Sequence, residues 1–386
     1  MGRQTVVGVG RDVLVRPSPF AMVWQGEGRP HEPIAVPGVC LDAGELLVEV
    51  ELATVCGSDV HIALGLRNTA TPVILGHEQV GRVVAVGEGA TASNGTPVVP
   101  GMRVVWSVTV SCGACDRCER GLTQKCRSLA KYGHDRLHRG WELSGGFASH
   151  VQVRAGSTVV LLDESVPAEV AAPASCATAT VVAALEAASA SIPLAGATVL
   201  ITGAGMLGLT ATALATDAGA HVIVSDPVAA RRSAAFDFGA ARVADPAVGH
   251  LAVTGLGGVL AASAAAGNPE PLIVLEMSGS PTAVRSALRV VGVGGVVVLV
   301  GSVSPGAEIG LDPELLVAKH LTLRGVHNYS GRHLEQAVGY LTGAWHSYPF
   351  AALVGETLPL ERIDEALTLA ATGRHPRIAL DPHRPG

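Results

Sequence analysis

Aromatic side chains are scarce in this chain of 386 residues, making up only 3%. The interior must therefore be packed by Ala, Val and Leu and shaped by turns, for which there are 47 glycines. Charge is sparse too, at 16% against 48% hydrophobic residues, which excludes a disordered chain and permits a large core. There is no basic excess: 27 Lys and Arg face 33 acidic residues, a formal charge of −6. A nucleic-acid binder needs a cationic surface to displace counterions, so that class is excluded. Low-complexity tracts and internal repeats are absent. The uncharged stretch Ala187–Thr216 is long enough to span a bilayer, but Pro193 and four glycines interrupt it. It reads instead as a strand buried on both faces, followed by a buried helix. Arg3, Arg11 and Asp12 break up Met1–Arg16, against a secretory signal, and the expected compartment is the cytoplasm, where thiols stay reduced.

The length suits two domains. Up to about residue 160 the chain is strand-rich, with Val-rich runs at Glu45–Leu52, Val80–Val86 and Arg103–Val110 separated by Gly or Pro. From about Ala195 strands and helices alternate. Thr198–Thr202, His221–Ser225, Leu272–Glu276 and Val296–Gly301 read as strands; Met206–Ala218, Arg231–Phe238 and Thr282–Leu288 read as helices. That alternation implies βαβ units and a parallel sheet, an α/β doubly wound (Rossmann) domain. After Gly325 come a polar loop, a helix near His333–Thr342, and a last helix and strand running to Leu380.

Seven cysteines stand at 40, 56, 112, 115, 118, 126 and 176. Cys112, Cys115, Cys118 and Cys126 crowd into residues 111–127. Thiols three residues apart pair poorly as disulfides, whereas one tetrahedral zinc takes all four sulfurs and leaves no open position. A closed structural zinc lobe is expected, its folding energy supplied by the metal. Cys56, His77 and Cys176 make a second donor set of two thiols and an imidazole, which suits a zinc with one open position. Spacing alone cannot bring these three together, and Cys176 reads equally as a core cysteine, His77 as a turn histidine. Cys40 has no partner motif and reads as an inert core residue.

Gly203-Ala-Gly205-Met206-Leu207-Gly208 follows the strand Thr198–Thr202 and opens a helix, the context a dinucleotide-binding turn requires. Gly203 permits the turn, Gly205 lets the backbone approach a pyrophosphate, and Gly208 lets helix pack on strand. Met206 and Leu207 supply N–H groups at the helix N-terminus. Asp226, 18 residues past Gly208, can accept from the ribose hydroxyls and would repel a 2′-phosphate, so NAD(H) is favoured. Arg231 and Arg232 leave NADP open. Asp226 reads also as a helix cap ahead of Pro227.

Taken together these motifs resemble the zinc-dependent medium-chain alcohol dehydrogenases, from about Phe20 to Leu380. The order runs Cys56-Gly-Ser-Asp-Val-His61, Gly76-His77-Glu78, the four-cysteine lobe, Gly145-Gly-Phe-Ala148, Cys176, then the nucleotide fold. The resemblance implies that Cys56, His77 and Cys176 converge on a catalytic zinc, giving two Zn2+ per chain. It implies a mostly β, GroES-like catalytic domain in two parts, residues 1–180 and a returning segment 327–386, around a Rossmann domain at 181–326. It implies further that Ser58 takes the alcohol proton and His61 passes it on through the nicotinamide ribose; a capping serine and a surface histidine are the plainer alternatives. Glu78 belongs near the metal, as support or occasional ligand, and Asp59 orients. Arg377 is expected near the cofactor pyrophosphate, or else in a salt bridge on the closing strand. A homodimer or homotetramer is implied, pairing at the edge of the nucleotide fold near Val296–Gly301.

Short stretches, Ala172–Leu185, Lys131-Tyr-Gly-His134 and Val326-His-Asn-Tyr329, resemble a subgroup associated with phosphonate metabolism. That likeness implies a small anionic primary alcohol or its aldehyde, such as 2-hydroxyethylphosphonate, held by Lys131, His134, Arg136, His327, Asn328 and Arg332. A polyol or secondary-alcohol dehydrogenase shares every metal and cofactor motif. A catalytically silent NAD-binding interaction protein would form no NADH, and the intact Cys56, Ser58, His61, His77 and Cys176 oppose it.

Overall fold

A computed structural model describes residues 5–9, 11–250 and 252–385. The chain divides into two compact units. One comprises the chain up to Ala179, Tyr329–His346 and the segment from Phe350 on; the other comprises Thr180–Asn328 and Ser347–Pro349. The last three residues join the second unit because the Tyr348 hydroxyl donates to Asp217 at 2.5 Å and its ring stacks on Phe238. His327 and Asn328, expected in the returning segment, fall in the second unit, and the chain re-enters the first at Tyr329.

The first unit is built on an eight-stranded sheet with Leu46–Thr54 at its centre. That strand is buried along most of its length and pairs antiparallel with Gln79–Val86, His150–Val153 and the last strand, Arg377–Asp381. Val48, Val50, Val83, Val104, Ile378 and Leu380 pack into one core with Trp24, Trp106, Tyr132, Trp141 and Phe147, so the few aromatics of the chain are concentrated here among β-branched residues. The pairing of Ala53 and Thr54 with Leu380 and Ala379 sets the C-terminal strand beside the segment that leads into Cys56.

The second unit is a six-stranded parallel sheet. Its order is Arg242–Ala244, His221–Ser225, Thr198–Thr202, Pro271–Glu276, Val296–Leu299, Thr322–Gly325. Order reversal at Thr198–Thr202 is the signature of a doubly wound fold and places the nucleotide site at that strand's C-terminal end. Val296–Leu299 does not form the edge expected of it, because strands pair with it on both sides. The edge on that side is Thr322–Gly325, whose four residues are all exposed. Cys40 also departs from expectation: it is exposed at the end of the strand Gly38–Cys40, not part of a core. No single helix among the described residues is long and apolar enough to cross a membrane.

Candidate metal and cofactor sites

Cys56 ends the extended run from Leu46–Thr54 and serves as N-cap of the helix Gly57–Ala63. The Asp59 carboxylate accepts from the Cys56 N–H at 2.9 Å, which locks the turn. Ser58 therefore lies in the first turn and His61 one turn later on the same face. His77 follows Gly76, whose φ of 90° and lack of a Cβ let Phe147 pack against the backbone. Cys176 sits between the short helix Ala172–Ser175 and the helix Ala177–Ser189, its φ of −123° and ψ of −68° marking the break. One ligand atom from each of Cys56, His77 and Cys176 lies within 4.8 Å of the others.

The donor chemistry of this trio fits zinc. Two Zn–S bonds of about 2.3 Å at a tetrahedral angle put sulfurs roughly 3.8 Å apart; Cys56 Sγ and Cys176 Sγ are 4.0 Å apart, too far for a disulfide. The hydrogen bond from Cys176 drives the Cys56 thiol well below its usual range, with Arg377 and His77 assisting against burial. Asp59 Oδ1 lies 3.3 Å from His77 Nδ1 and leaves Nε2 as the donor atom. Burial opposes charge on His77, but Asp59 and Cys56 outweigh it and raise the ring to about 10. Ser58 Oγ lies 3.3 Å from that Nε2. His61 is half-buried.

Arg377 forms the salt bridge that was one of its two expected roles on the closing strand. It is buried in the first unit, where it donates to both oxygens of Glu78 at 2.6 and 2.7 Å and approaches Cys56 Sγ at 3.6 Å. Thr54 Oγ1 donates to Glu78 as well, at 2.7 Å. Glu78 thus has both oxygens committed to protein partners. Burial raises its pKa against the pull of Arg377.

The four remaining lobe cysteines also gather within 4.8 Å. Their sulfurs approach at 3.5 Å (Cys115 to Cys118), 3.9 Å (Cys115 to Cys126) and 3.4 Å (Cys112 to Cys126). The N–H groups of Cys112 and Ser128 point at Cys126 Sγ at 3.3 and 3.4 Å. Backbone N–H groups of Arg127 and Cys118 lower Cys115 to about 6. Convergent sulfurs with amides aimed at them suit a closed tetrathiolate zinc.

Of the residues expected at the substrate, Lys131 and His134 lie by the cluster of Cys56, His77 and Cys176. The His134 ring centroid is 5.0 Å from that of His77, its Nδ1 bonds the Tyr132 carbonyl oxygen at 2.9 Å, and its Nε2 is buried without a partner. Burial lowers the Lys131 ammonium to about 8, with Arg67 adding to the effect and Cys176 and Cys56 opposing it. Neither Lys131 nor Arg67 has an ion-pair partner among the described residues. Arg136 and Arg332 are exposed instead. Asn328 is a turn residue with φ of 57°, and His327 is exposed in the second unit. Arg67 carried no motif that could have flagged it.

In the second unit, Gly203 (φ 95°) turns the chain out of Thr198–Thr202 against Ser278, and Gly205 caps the helix Met206–Asp217. Met206 and Leu207 form its first turn; Gly208 packs where a Cβ would strike the Gly203 carbonyl. A cavity of about 350 Å³ opens beside this turn, lined by Gly203, Asp226, Arg231, Ser278 and Thr282 among others. The Asp226 carboxylate accepts from the N–H of Ala204 and of Val228, both at 2.8 Å, so it latches the glycine turn as well as facing the cavity. Arg232 is tied to the Asp226 carbonyl and to Asp245.

Residues 42–164 match the family described as alcohol dehydrogenase GroES-like domain, and residues 207–342 match zinc-binding dehydrogenase. An L-threonine 3-dehydrogenase of Anaeromyxobacter dehalogenans is 31% identical over 347 residues, 87% of this chain and 91% of the relative. One from Colwellia psychrerythraea is 30% identical, over 84% of this chain and 85% of the relative. Among solved structures, an alcohol dehydrogenase from Thermotoga maritima superposes with a TM-score of 0.87 at 27% identity, covering 95% of this chain and all of that one (100%). A Sinorhizobium meliloti protein assigned as a zinc-binding dehydrogenase, solved with NADP bound, gives 0.79 at 25% identity, covering 95% and 99%. With two convergent thiol sets in a GroES-like unit and a glycine turn on a doubly wound sheet, the chain belongs to the zinc-dependent medium-chain alcohol dehydrogenase family, NAD(P)-dependent oxidoreductases acting on alcohols.

Proposed function

We propose that Cys56, His77 and Cys176 hold a catalytic zinc with one open position, and that Cys112, Cys115, Cys118 and Cys126 hold a structural one. The observation that carries this reading is the convergence of the trio with Ser58 Oγ 3.3 Å from His77 Nε2. When bound, zinc supplies Lewis acidity to a substrate hydroxyl and the nicotinamide supplies a hydride acceptor. Ser58 takes the hydroxyl proton and His61, one turn along the same helix face, relays it. Gly203, Gly205, Met206, Leu207 and Gly208 cradle the cofactor phosphates, and Asp226 receives the ribose hydroxyls with Arg231 alongside. The carboxylate favours NAD(H) over NADP.

The substrate in this reading is a small alcohol bearing an anion. Lys131 and Arg67 are cations without counter-ions, and His134 presents an unpartnered nitrogen, so a neutral polyol would leave charge unanswered. L-threonine, on which relatives are named to act, carries a carboxylate; 2-hydroxyethylphosphonate carries a phosphonate. The test is NADH formation from these two, from a polyol and from a neutral alcohol. A specificity constant at least about tenfold higher for one of the anions supports the reading, and equal constants across the panel overturn it.

We infer a homodimer or homotetramer formed through the open edge Thr322–Gly325, in a reducing compartment such as the cytoplasm that suits seven free thiols.

A further inference from the structure

Tyr329 is the first residue of the returning segment and is buried, an amphipathic ring whose hydroxyl must find partners. Two things fix its seat. Asn328 takes the left-handed conformation just before it, which asparagine tolerates. Gly331 packs so closely on Thr158 that a Cβ would collide with the threonine side chain. The hydroxyl accepts from the Val108 N–H at 3.3 Å and donates to the Ser175 carbonyl. Ser175 in turn donates through Oγ to the His77 carbonyl at 3.1 Å. A continuous path of hydrogen bonds thus runs from the strand Arg103–Val110 through Tyr329 and Ser175 to the backbone of His77, and the Ser175 peptide leads directly into Cys176.

We propose that Tyr329 is a positioning residue for the metal ligands: it holds the peptide that aims Cys176 and, through Ser175, the turn that aims His77. The chain has left its helical course at Cys176, so helix geometry does not set the direction of that side chain. The hydrogen bond into the Ser175 carbonyl fixes the peptide plane on which it depends. Tyr329 supplies no metal ligand, and its role is to preserve the spacing of ligand atoms supplied by others.

The inference rests on the reading of Cys56, His77 and Cys176 as a zinc site. The experiment uses the purified zinc-loaded protein and follows zinc release to a chromogenic chelator. In the parent protein, two zincs per chain leaving in separate phases are expected; a parent that retains only one after dialysis overturns the metal reading itself. In Tyr329→Phe, one phase accelerates about tenfold while the lobe phase is unchanged. Cobalt replacing zinc in that same site shows a shifted thiolate absorption band, kcat falls, and KM for NAD stays constant. Release of both metals at the parent's rates, or equal acceleration of both phases, overturns the role of Tyr329. Ser175→Ala leaves Tyr329 in place and cuts the link to His77. It carries the same expectation of selective acceleration, should the first variant fold poorly.

Discussion

Arg377 and Glu78 stand 299 residues apart in the chain and meet as a bidentate pair, two nitrogens on two oxygens, both side chains withdrawn from solvent. Removing one partner strands a buried charge, which costs roughly 3–5 kcal/mol. Arg377→Met should therefore lower unfolding stability by an amount of that order, measured by denaturant titration, while KM for NAD stays within about twofold. A selective rise in that KM would place Arg377 at the cofactor phosphates as well. The double variant Arg377→Met, Glu78→Leu should recover much of the loss.

Lys131 supplies a pH dependence. Burial holds its ammonium at about 8, below the usual range, so the cationic form is lost as pH rises through that value. The specificity constant for an anionic alcohol should fall above about pH 8, and the Lys131→Met variant should lose that limb. A neutral alcohol should show the limb with neither protein. If it does, the titrating group acts on chemistry and not on the anion.

The lobe cysteines predict a separable metal. Cys118→Ser should reduce zinc content from two to one per chain and lower thermal stability, since the segment gains its folding energy from the metal. Elemental analysis still finding two would remove Cys118 from the ligand set.

Asp226 accepts from two backbone N–H groups, and an asparagine there could satisfy only one. Asp226→Asn leaves a buried donor unpaired at roughly 1–3 kcal/mol, much of it at the glycine turn. KM for NAD should rise about tenfold or more with no matching gain in NADP use. A simple exchange of preference would show that the carboxylate acts only on the ribose.

Local pattern made much of this molecule legible. Strand runs such as Arg103–Val110 and His221–Ser225 are marked by their composition and keep their limits in the structure. The lobe was readable because its four donors lie close in sequence. The trio was not, because Cys56, His77 and Cys176 are joined only by long-range pairing around Leu46–Thr54, which no spacing encodes. Arg377 shows the same limit. A cation on a closing strand can face phosphate or carboxylate, and the carboxylate that it meets, Glu78, lies 299 residues away. The edge at Val296 was misplaced because Thr322–Gly325 is a four-residue strand with no alternation of buried and exposed positions to announce it. Tyr329 sat in a short motif that drew notice, but its partners lie 154 and 221 residues away.

The closing strand has a consequence for how the protein is made. Synthesis on the ribosome delivers all seven cysteines and the imidazole of His77 by residue 176, yet the guanidinium that neutralises Glu78 comes only at residue 377. Until then a carboxylate destined for the interior has no counter-charge, and the strand that leads into Cys56 lacks its neighbour. The nascent polypeptide can thus gather its four lobe sulfurs early, whereas the surroundings of Cys56 and Glu78 become complete only once Arg377 has been added.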